Sequence, residues 1–337
     1  MKKYTARYTN NPQLLTPRSP EGWPGTPLTS DGQFQNVNHP YSPKWMDVFR
    51  WKFNRNPYLE IKKSEVFNPE VLRDENWLNG NGDIIVWLGH STFYIRINGS
   101  RLLTDPVFGN IPAVKRMCEF PINPNLLRDL DYILISHDHR DHFDEPSLKT
   151  LAKNNPSARY VSGLNMKPLI HQFTSSTNIE EAGWYQQYSQ SDKGVTITFV
   201  PSRHWSRRGL NDTNRRLWGG FVIEANGQRI YFGGDSGYDS HYRELQSVFK
   251  DFTIAILGIG AYEPEWFMSP NHQSPADALK GFIELNGDNL IPMHYGTFDL
   301  SDEPMSQPLK DLRAAAAELS LTEKLNILNI GQPLIIR

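Results

Sequence analysis

The sequence predicts an α+β protein in which two β-sheets are sandwiched between helical layers. Two observations predict this class. From residue 83 onward, short apolar runs alternate with turn residues, as successive β-strands do. Segments of helical pattern separate groups of these runs, which favours sheets covered by helices. A third observation concerns one edge of the sheets, because chemically reactive side chains follow the ends of several of the apolar runs.

Nine apolar runs are the predicted strands. The first three form a meander, with Asn98-Gly99 at a hairpin turn. Helices are predicted from Asp144, which is a capping residue type followed by a proline, over 240–249, and over 274–285, which Ser-Pro opens. The predicted strands cover residues 83–88, 92–97, 101–104, 131–136, 195–200, 218–224, 229–235, 252–257 and 289–294.

The N-terminal part of the chain has a different pattern. Residues 1–43 are punctuated by proline and glycine, which favours an extended arm laid over a domain or a partly disordered segment. A helix is predicted near residues 43–56, because Trp45, Phe49 and Phe53 recur every four residues and so share one face. Basic residues surround this face, as in a helix that lies at a membrane interface. The alternative is that the aromatic face packs on the sandwich, and we favour packing.

Composition excludes several classes of protein. The 337 residues have a formal net charge of −2, which argues against a broad basic face for nucleic acid. The single cysteine, Cys118, excludes an internal disulfide framework and a thiolate zinc cluster, and it fits a reducing compartment. We see no signal peptide and no apolar run long enough to span a membrane. We therefore expect a cytoplasmic protein, either free or peripheral to a membrane.

The stretch ISHDHRDHFD, residues 135–144, places imidazoles and carboxylates directly after a predicted strand. Other histidines and an aspartate follow three further strands. Packing so many ionisable groups together costs free energy unless a cation offsets it, so we favour a metal centre over a solvated acidic loop. The candidate ligands are His137, His139, Asp141, His142, His204, Asp235 and His294.

These ligand types suit zinc, because they combine imidazoles with carboxylates and include no thiolate. Seven ligands are too many for one tetrahedral ion, and they suit two ions that share a carboxylate and a hydroxide. Asp235, alone on its turn, is the natural bridge. We therefore expect two Zn²⁺ per chain, with other divalent metals as alternatives.

At this point a family resemblance is visible. HDHRDH matches the HxHxDH signature of the metallo-β-lactamase fold. The flanking sequence, over roughly residues 34–305, resembles N-acyl-phosphatidylethanolamine-hydrolysing phospholipase D and its bacterial relatives. The stretches with this resemblance are WLGHSTFYIRINGSRLLTDPVF, SRHWSRRGLNDTNRRLWGGFVIE, GGDSGY, GAYEPEWFM and MHYGTFDLSDEP.

The resemblance implies an αββα sandwich, with two mixed sheets flanked by helices and the metals at one edge. It implies that His137, His139 and His204 hold one zinc, that Asp141, His142 and His294 hold the other, and that Asp235 bridges them. It also implies that residues 81–337 form the metallo-β-lactamase-fold catalytic domain. We expect residues 1–80 to form an extension that packs on this core.

Further residues have two interpretations each. His90 and Asp105 either orient ligands or substrate, or are structural turn residues. His272 either lines the mouth of the site, where it joins Asp141 and Asp235 as a candidate catalytic residue, or is a plain loop histidine. Tyr262 and Trp266 either form aromatic walls for a lipid or occupy ordinary core positions.

Five arginines surround His204. They either recognise a headgroup phosphate or form a solvated basic loop, and we favour the loop. They are Arg203, Arg207, Arg208, Arg215 and Arg216.

The function that the resemblance implies is a zinc-dependent phosphodiesterase of phospholipase D type. A metal-bridging hydroxide would attack the phosphorus of N-acyl-phosphatidylethanolamine or a related phospholipid. The partner would be this phospholipid or another phosphodiester, with peripheral membrane contact and no nucleic acid, and the oligomeric state stays open. One alternative is a hydrolase of soluble substrates, such as a lactone or a cyclic or soluble phosphodiester. The other is a non-hydrolytic di-metal redox or binding protein.

Overall fold

Two mixed β-sheets and eight helices make up the described part of the computed structural model, which covers residues 7–41, 44–67, 69–190 and 193–336. In chain order the strands are β1 (Arg7–Thr9), β2 (Thr26–Leu28), β3 (Ile84–Trp87), β4 (Phe93–Ile97), β5 (Ser100–Thr104), β6 (Tyr132–Ile135), β7 (Arg159–Gly163), β8 (Ile179–Ala182), β9 (Thr196–Val200), β10 (Gly220–Ala225), β11 (Gln228–Phe232), β12 (Phe252–Gly258), β13 (Gly287–Met293) and β14 (Pro333–Ile335). The helices are α1 (Trp45–Phe53), α2 (Leu59–Ser64), α3 (Glu145–Asn154), α4 (Lys167–Thr174), α5 (His241–Phe249), α6 (Glu265–Met268), α7 (Pro275–Glu284) and α8 (Gln307–Glu318).

Each large sheet is antiparallel in one part and parallel in the other. The seven-stranded sheet has the order β14-β3-β4-β5-β6-β7-β8, and its strands run parallel from β5 to β8. The five-stranded sheet has the order β13-β12-β11-β10-β9, and β11, β12 and β13 run parallel. Strands β1 and β2 form a separate antiparallel pair. The two large sheets bring the carboxyl ends of several strands to one edge of the molecule.

Alternation of side chains along the strands builds two core layers. In β3, Ile85 and Trp87 point into the layer between the sheets, whereas Ile84 and Val86 point to the outer layer. Phe93 of β4 meets Phe232 of β11 across the inner layer, with ring centroids 6.3 Å apart. Helices α3 and α4 cover the outer layer, and residues of α5, α7 and α8 join the cluster that contains the inner layer. The predicted sandwich is therefore confirmed.

The nine predicted strands and four predicted helices are all present, with ends that agree within three residues. Asn98 and Gly99 both have positive φ, 49° and 71°, as the predicted hairpin turn requires. The Asp144 side chain caps α3 by accepting a hydrogen bond from the Ser147 amide, and Ser274 caps α7 in the same way. The sequence prediction did not include β7, β8, β14, α4 and α8, which complete the sheets and the helical layers.

The N-terminal arm lies along the sandwich over its described part, residues 7–41. The side-chain amide of Asn11 donates to the Glu181 carbonyl at 2.7 Å, and Phe34 is buried. Asn36 reaches as far as the His204 carbonyl, to which its amide donates at 2.9 Å. These contacts hold residues 7–41 along the domain, and residues 1–6 lie outside the described ones. The boundary near residue 80 stays a prediction.

Helix α1 has the opposite orientation to the one we favoured. Phe49 and Phe53 are exposed by 54% and 84% and do not pack on the sandwich. Trp51, on the opposite side of the helix, faces the domain instead, because its indole N–H donates to Asp302 Oδ1 at 2.9 Å and its ring stacks on Phe267. The side chain of Trp45 lies outside the described residues. Among the described helices, none is long and apolar enough to cross a membrane.

Candidate metal centre

The candidate ligands lie just beyond the carboxyl ends of strands from both sheets. His137, which opens the HDHRDH stretch, follows β6 of the seven-stranded sheet. His204, Asp235 and His294 follow β9, β11 and β13 of the five-stranded sheet. The strands fix the backbone on one side of each ligand, so the side chains converge where the ends of the two sheets meet.

His137, His139 and His204 form a first ligand group. The Nδ1 atom of His139 lies 2.9 Å from Nε2 of His137 and 3.1 Å from Nε2 of His204. Together with a carboxylate oxygen of Asp235, these atoms all lie within 4.8 Å of one another. Three imidazole nitrogens that face a common point are suited to one ion with tetrahedral coordination.

Asp141, His142 and His294 form a second ligand group. Oδ2 of Asp141 lies 3.6 Å from Nε2 of His142 and 3.5 Å from Nε2 of His294. His90 joins the same cluster, with its Nε2 atom 3.1 Å from Oδ2 of Asp141. This arrangement can hold a second ion.

Asp235 lies between the two groups. Its Oδ2 atom is 3.7 Å from Nε2 of both His137 and His204 in the first group, and 3.1 Å from Nε2 of His142 in the second. Its Oδ1 atom is 3.2 Å from Nε2 of His294. One carboxylate therefore touches both groups, which is the position that a bridging ligand needs.

The polar atoms of this centre fit a cation. Within the described part of the chain, Nε2 of His142, Nε2 of His294 and Oδ1 of Asp235 are buried, and they lie at ion-pair distances without a hydrogen bond of regular geometry. Unsatisfied buried polar atoms are rare because they cost free energy. Imidazole nitrogens and carboxylate oxygens without a thiolate are the donors that zinc and similar divalent metals accept.

The two groups differ in the pKa values of their imidazoles. Burial lowers the pKa of His137 and His204 well below the ordinary value, so both are neutral near pH 7. Burial alone would lower the pKa of His142 and His294 as well, but the carboxylates of Asp235 and Asp141 outweigh it. They raise the pKa of His294 to about 9 and that of His142 well above its ordinary value.

The pKa values of the two carboxylates are shifted in the opposite direction. Burial would raise the pKa of Asp141 and of Asp235, but nearby imidazoles, above all His142, hold both pKa values well below the ordinary range. In the protein without metal, the protons of His142 and His294 thus balance the two buried charges. A bound cation would replace these protons.

Contacts outside the ligand groups orient the imidazoles. Oδ2 of Asp105 lies 2.8 Å from Nδ1 of His142, and Asp105 also accepts hydrogen bonds from the amide and hydroxyl of Ser136. The Nδ1 atom of His204 lies 3.0 Å from the carbonyl oxygen of Asn271, and a proton there would be donated to it. Donation from Nδ1 leaves Nε2 of each imidazole free for an ion.

Three residues of the centre have an uncommon backbone conformation. His90, Asp105 and His294 have positive φ values of 53°, 33° and 61°. Residues other than glycine rarely adopt this region, and the surrounding structure must offset its cost. The amide of His90, for example, donates to Oγ1 of Thr297 at 2.7 Å.

Of the remaining predicted site residues, His272 lies beside the centre, whereas Tyr262 and Trp266 make other contacts or face solvent. His272 is near the centre, with Nδ1 3.8 Å from Oδ2 of Asp235, and is partly exposed. Tyr262 donates its hydroxyl hydrogen to Asp311 on α8 at 2.6 Å. Trp266 is 43% exposed. Tyr262 is thus held by α8, and Trp266 faces solvent.

Two of the arginines near His204, Arg208 and Arg216, are engaged in structural contacts, which differs from the solvated loop that we favoured, whereas Arg215 is exposed. Nη1 of Arg208 donates to the carbonyls of Asp138 and Phe143. Arg216 donates from Nε to Asp138 at 2.5 Å and also pairs with Asp212. These contacts hold the arginine loop against the stretch that contains the first ligands.

Sequence reasoning missed two residues that support the centre. Asp138 is fully buried and accepts hydrogen bonds from Arg216 and from the Arg207 amide. Its position inside HDHRDH, near a loop rich in arginine, was a usable signal. Oδ1 of Asn36 accepts from the His204 amide, and nothing in the local sequence of the arm indicates this role.

The chain is similar to proteins of a known family. The family model described as a beta-lactamase superfamily domain matches residues 100–295. The chain is 32% identical over 260 residues to N-acyl-phosphatidylethanolamine-hydrolyzing phospholipase D 1 of Caenorhabditis elegans, which covers 72% of this chain and 73% of that protein. It is 34% identical over 240 residues to the mitochondrial N-acyl-phosphatidylethanolamine-hydrolyzing phospholipase D of Saccharomyces cerevisiae. That match covers 68% of this chain and 51% of the yeast protein, so the chain spans about half of its length.

A solved structure shows the same fold. Igni18, a metallo hydrolase from the archaeon Ignicoccus hospitalis, matches with a TM-score of 0.58 and covers 76% of this chain and 98% of its own. The two sequences are 18% identical. This likeness concerns the fold alone.

Proposed function

We propose that this chain, which belongs to the metallo-β-lactamase superfamily and is a metal-dependent hydrolase, is a dinuclear zinc phosphodiesterase of phospholipase D type. Its substrate would be N-acyl-phosphatidylethanolamine or a related phospholipid. The homologues from C. elegans and S. cerevisiae, which are named for this reaction, support the substrate class. The observation that supports two ions most directly is the position of Asp235 between the two ligand groups.

The ligand groups would hold one ion each. The first ion would have three imidazoles and the second would have Asp141, His142 and His294, with Asp235 shared. When bound, two zinc ions supply a water of lowered pKa and stabilise negative charge on phosphoryl oxygens. Two carboxylates leave the pair of divalent ions with a positive surplus, which attracts an anionic phosphate.

His272 would act on the substrate from the open side of the centre. Burial lowers its pKa to about 4, although Asp235 opposes this effect, so the imidazole is neutral near pH 7. A neutral imidazole can donate one N–H to an oxygen of the phosphate and can accept a proton at its other nitrogen. Because it is partly exposed and lies beside Asp235, it can reach both the substrate and the centre.

Asp105 and His90 would hold the second group in place. The carboxylate of Asp105 fixes the ring of His142, and the imidazole of His90 fixes the carboxylate of Asp141. Such outer contacts orient ligands and keep them in the tautomer that binds metal. The chain's own residues thus build a rigid set of donors before any ion binds.

The test combines metal analysis of the purified protein with hydrolysis of N-acyl-phosphatidylethanolamine in mixed micelles. We expect two zinc ions per chain and release of an N-acylethanolamine and phosphatidic acid. The variant His139→Ala should lose an ion and about three orders of magnitude of activity. His171→Ala, which removes an exposed histidine of α4, is the matched control and should retain both ions and activity.

Other results would contradict specific parts of the proposal. Two ions with turnover of lactones or soluble phosphodiesters, but not of the lipid, would refute the substrate class. Bound iron with absorbance in the visible region and no hydrolysis would refute the hydrolase. A folded protein prepared without chelator that contains no metal would refute the centre itself.

A further inference from the structure

We propose that helix α1 forms a docking surface for an anionic lipid bilayer, an inference that rests on the proposed function because it assumes a substrate embedded in a membrane. The surface consists of the side chains of Met46, Phe49 and Phe53 on α1 and of Trp266 on α6, and we call it the aromatic face. Its partner is the lipid surface, not a single lipid molecule.

The side chains of the aromatic face are turned to solvent. Met46 is 75% exposed, and Phe49 and Phe53 lie one turn apart on the same side of the helix. The two phenylalanine rings stack with centroids 6.3 Å apart, so they form one continuous apolar patch. A grouped set of large exposed apolar side chains indicates an interaction site.

Contacts on the other side of α1 hold this orientation. Trp51 lies two residues from both phenylalanines, so it points to the opposite side of the helix. Its indole N–H donates to Asp302, and its ring stacks on Phe267 at 5.2 Å. The helix therefore cannot turn the phenylalanines inward without breaking a hydrogen bond and a stacking contact.

The charges around the aromatic face match an anionic partner. Residues 44–55 contain four basic side chains and one acid, Asp47, and α6 adds one exposed acid, Glu265, so basic side chains are in excess. The Arg50 guanidinium lies over the ring of Trp266 at 4.6 Å, beside the apolar patch. Aromatic residues flanked by lysine and arginine are typical of helices that lie in the interface of an anionic membrane. A second copy of the chain on this surface would bring like charges together.

The segments that support the aromatic face are connected to residues of the metal centre. Phe267, on which Trp51 stacks, is in α6, and the amide of His272 donates to the carbonyl of Met268 at the end of that helix. Asp302, the other partner of Trp51, lies eight residues after His294. Docking through α1 would therefore place the lipid surface against α1 and α6, and α6 is joined by a hydrogen bond to His272 beside the centre.

The experiment is co-sedimentation of the zinc-loaded protein with vesicles that lack N-acyl-phosphatidylethanolamine. Vesicles of phosphatidylcholine with phosphatidylglycerol are compared with vesicles of phosphatidylcholine alone. We expect binding to the anionic vesicles that weakens with added salt. The double variant Phe49→Gln/Phe53→Gln should bind at least about tenfold more weakly. Ile283→Gln, which changes a 50% exposed side chain of α7, is the matched control and should bind like the original protein.

A charge variant tests the second half of the proposal. Lys52→Gln/Arg55→Gln should lower binding to anionic vesicles about fivefold for each residue and leave binding to phosphatidylcholine unchanged. Equal binding by the phenylalanine variant, or no binding by the original protein, would overturn the docking surface. So would a dimer of the original protein that the phenylalanine variant converts to a monomer. Hydrolysis of micellar lipid without vesicle binding would refute docking alone, and vesicle binding without hydrolysis would refute the phospholipase alone.

Discussion

The two ligand groups are packed side by side in the same buried centre, yet they reach opposite protonation states. In the first group burial determines the result, because His137 and His204 are pushed towards the neutral form. In the second group, Asp141 and Asp235 outweigh the same burial and keep His142 and His294 protonated in the protein without metal. The difference shows that carboxylates next to an imidazole, and not burial alone, decide its charge.

This contrast has a consequence for metal binding. The first group presents neutral imidazoles that can bind an ion at once. The second group must release protons first. We therefore expect the two ions to bind in order, the first group before the second, and the predictions below test this order.

The largest effect is expected for Asp235→Asn, because Asp235 is the residue that both groups contact. An amide supplies one neutral oxygen where a charged carboxylate met four imidazoles, so both sites weaken. Activity should fall by about three orders of magnitude or more, and metal analysis should find less than two ions per chain. Asp129→Asn, a highly exposed surface carboxylate, is the control. Retention of both ions in Asp235→Asn would contradict the bridging position.

The dependence of metal affinity on pH should differ between the groups. The pKa of His294 is about 9 and that of His142 is also raised, so both protons are present at pH 7 and must leave when the second ion binds. Affinity for the second ion should thus fall as the pH falls below 9, about tenfold per pH unit for each displaced proton. The first ion should show a much weaker dependence. Calorimetry in buffers of different ionisation enthalpy measures the protons released on binding. Equal release for both ions would contradict the difference in protonation between the two groups.

The sequence predicts the parts of this molecule that depend on neighbours in the chain. The strand from Tyr132 to Ile135 and the histidines directly after it are contiguous, so local pattern is enough to find both. The candidate ligands on other strands follow from the same rule, since each lies where an apolar run ends. The family resemblance then supplied the fold, which is confirmed.

The sequence does not predict contacts between distant segments. The Asn36 side chain accepts a hydrogen bond from the backbone amide of His204, 168 residues away, and no local pattern shows this support. For α1 the local pattern was misleading, because a four-residue aromatic period normally marks the buried face. The partner that fixes Trp51 is Asp302, 251 residues away, and this contact decides which face is turned inward.

A smaller effect, larger in the second group than in the first, is expected for Asp105→Asn. The carboxylate of Asp105 contacts Nδ1 of His142 at 2.8 Å, whereas His204 in the first group is oriented by a backbone carbonyl that no substitution removes. Loss of an outer carboxylate typically lowers metal affinity about 10–100-fold. A zinc titration against a competing chelator should show the second ion weakened more than the first, because Asp105 supports His137 only through the Ser136 hydroxyl. Equal weakening of both ions would mean that the groups are not separately supported.

The smallest effect is expected for His90→Gln. This variant distinguishes a metal ligand at His90 from a hydrogen-bond donor to the second group. Burial lowers the pKa of His90 to about 3, so the imidazole is neutral, and its Nε2 atom lies 3.1 Å from Oδ2 of Asp141. A glutamine amide can donate to the same oxygen, so both ions should remain and activity should fall only about threefold, roughly 0.7 kcal/mol. His90→Phe removes the donor and should lower activity further, with the second ion bound more weakly. If His90→Gln instead lost an ion outright, His90 would be a ligand, and the second group would have four ligands of its own against three in the first.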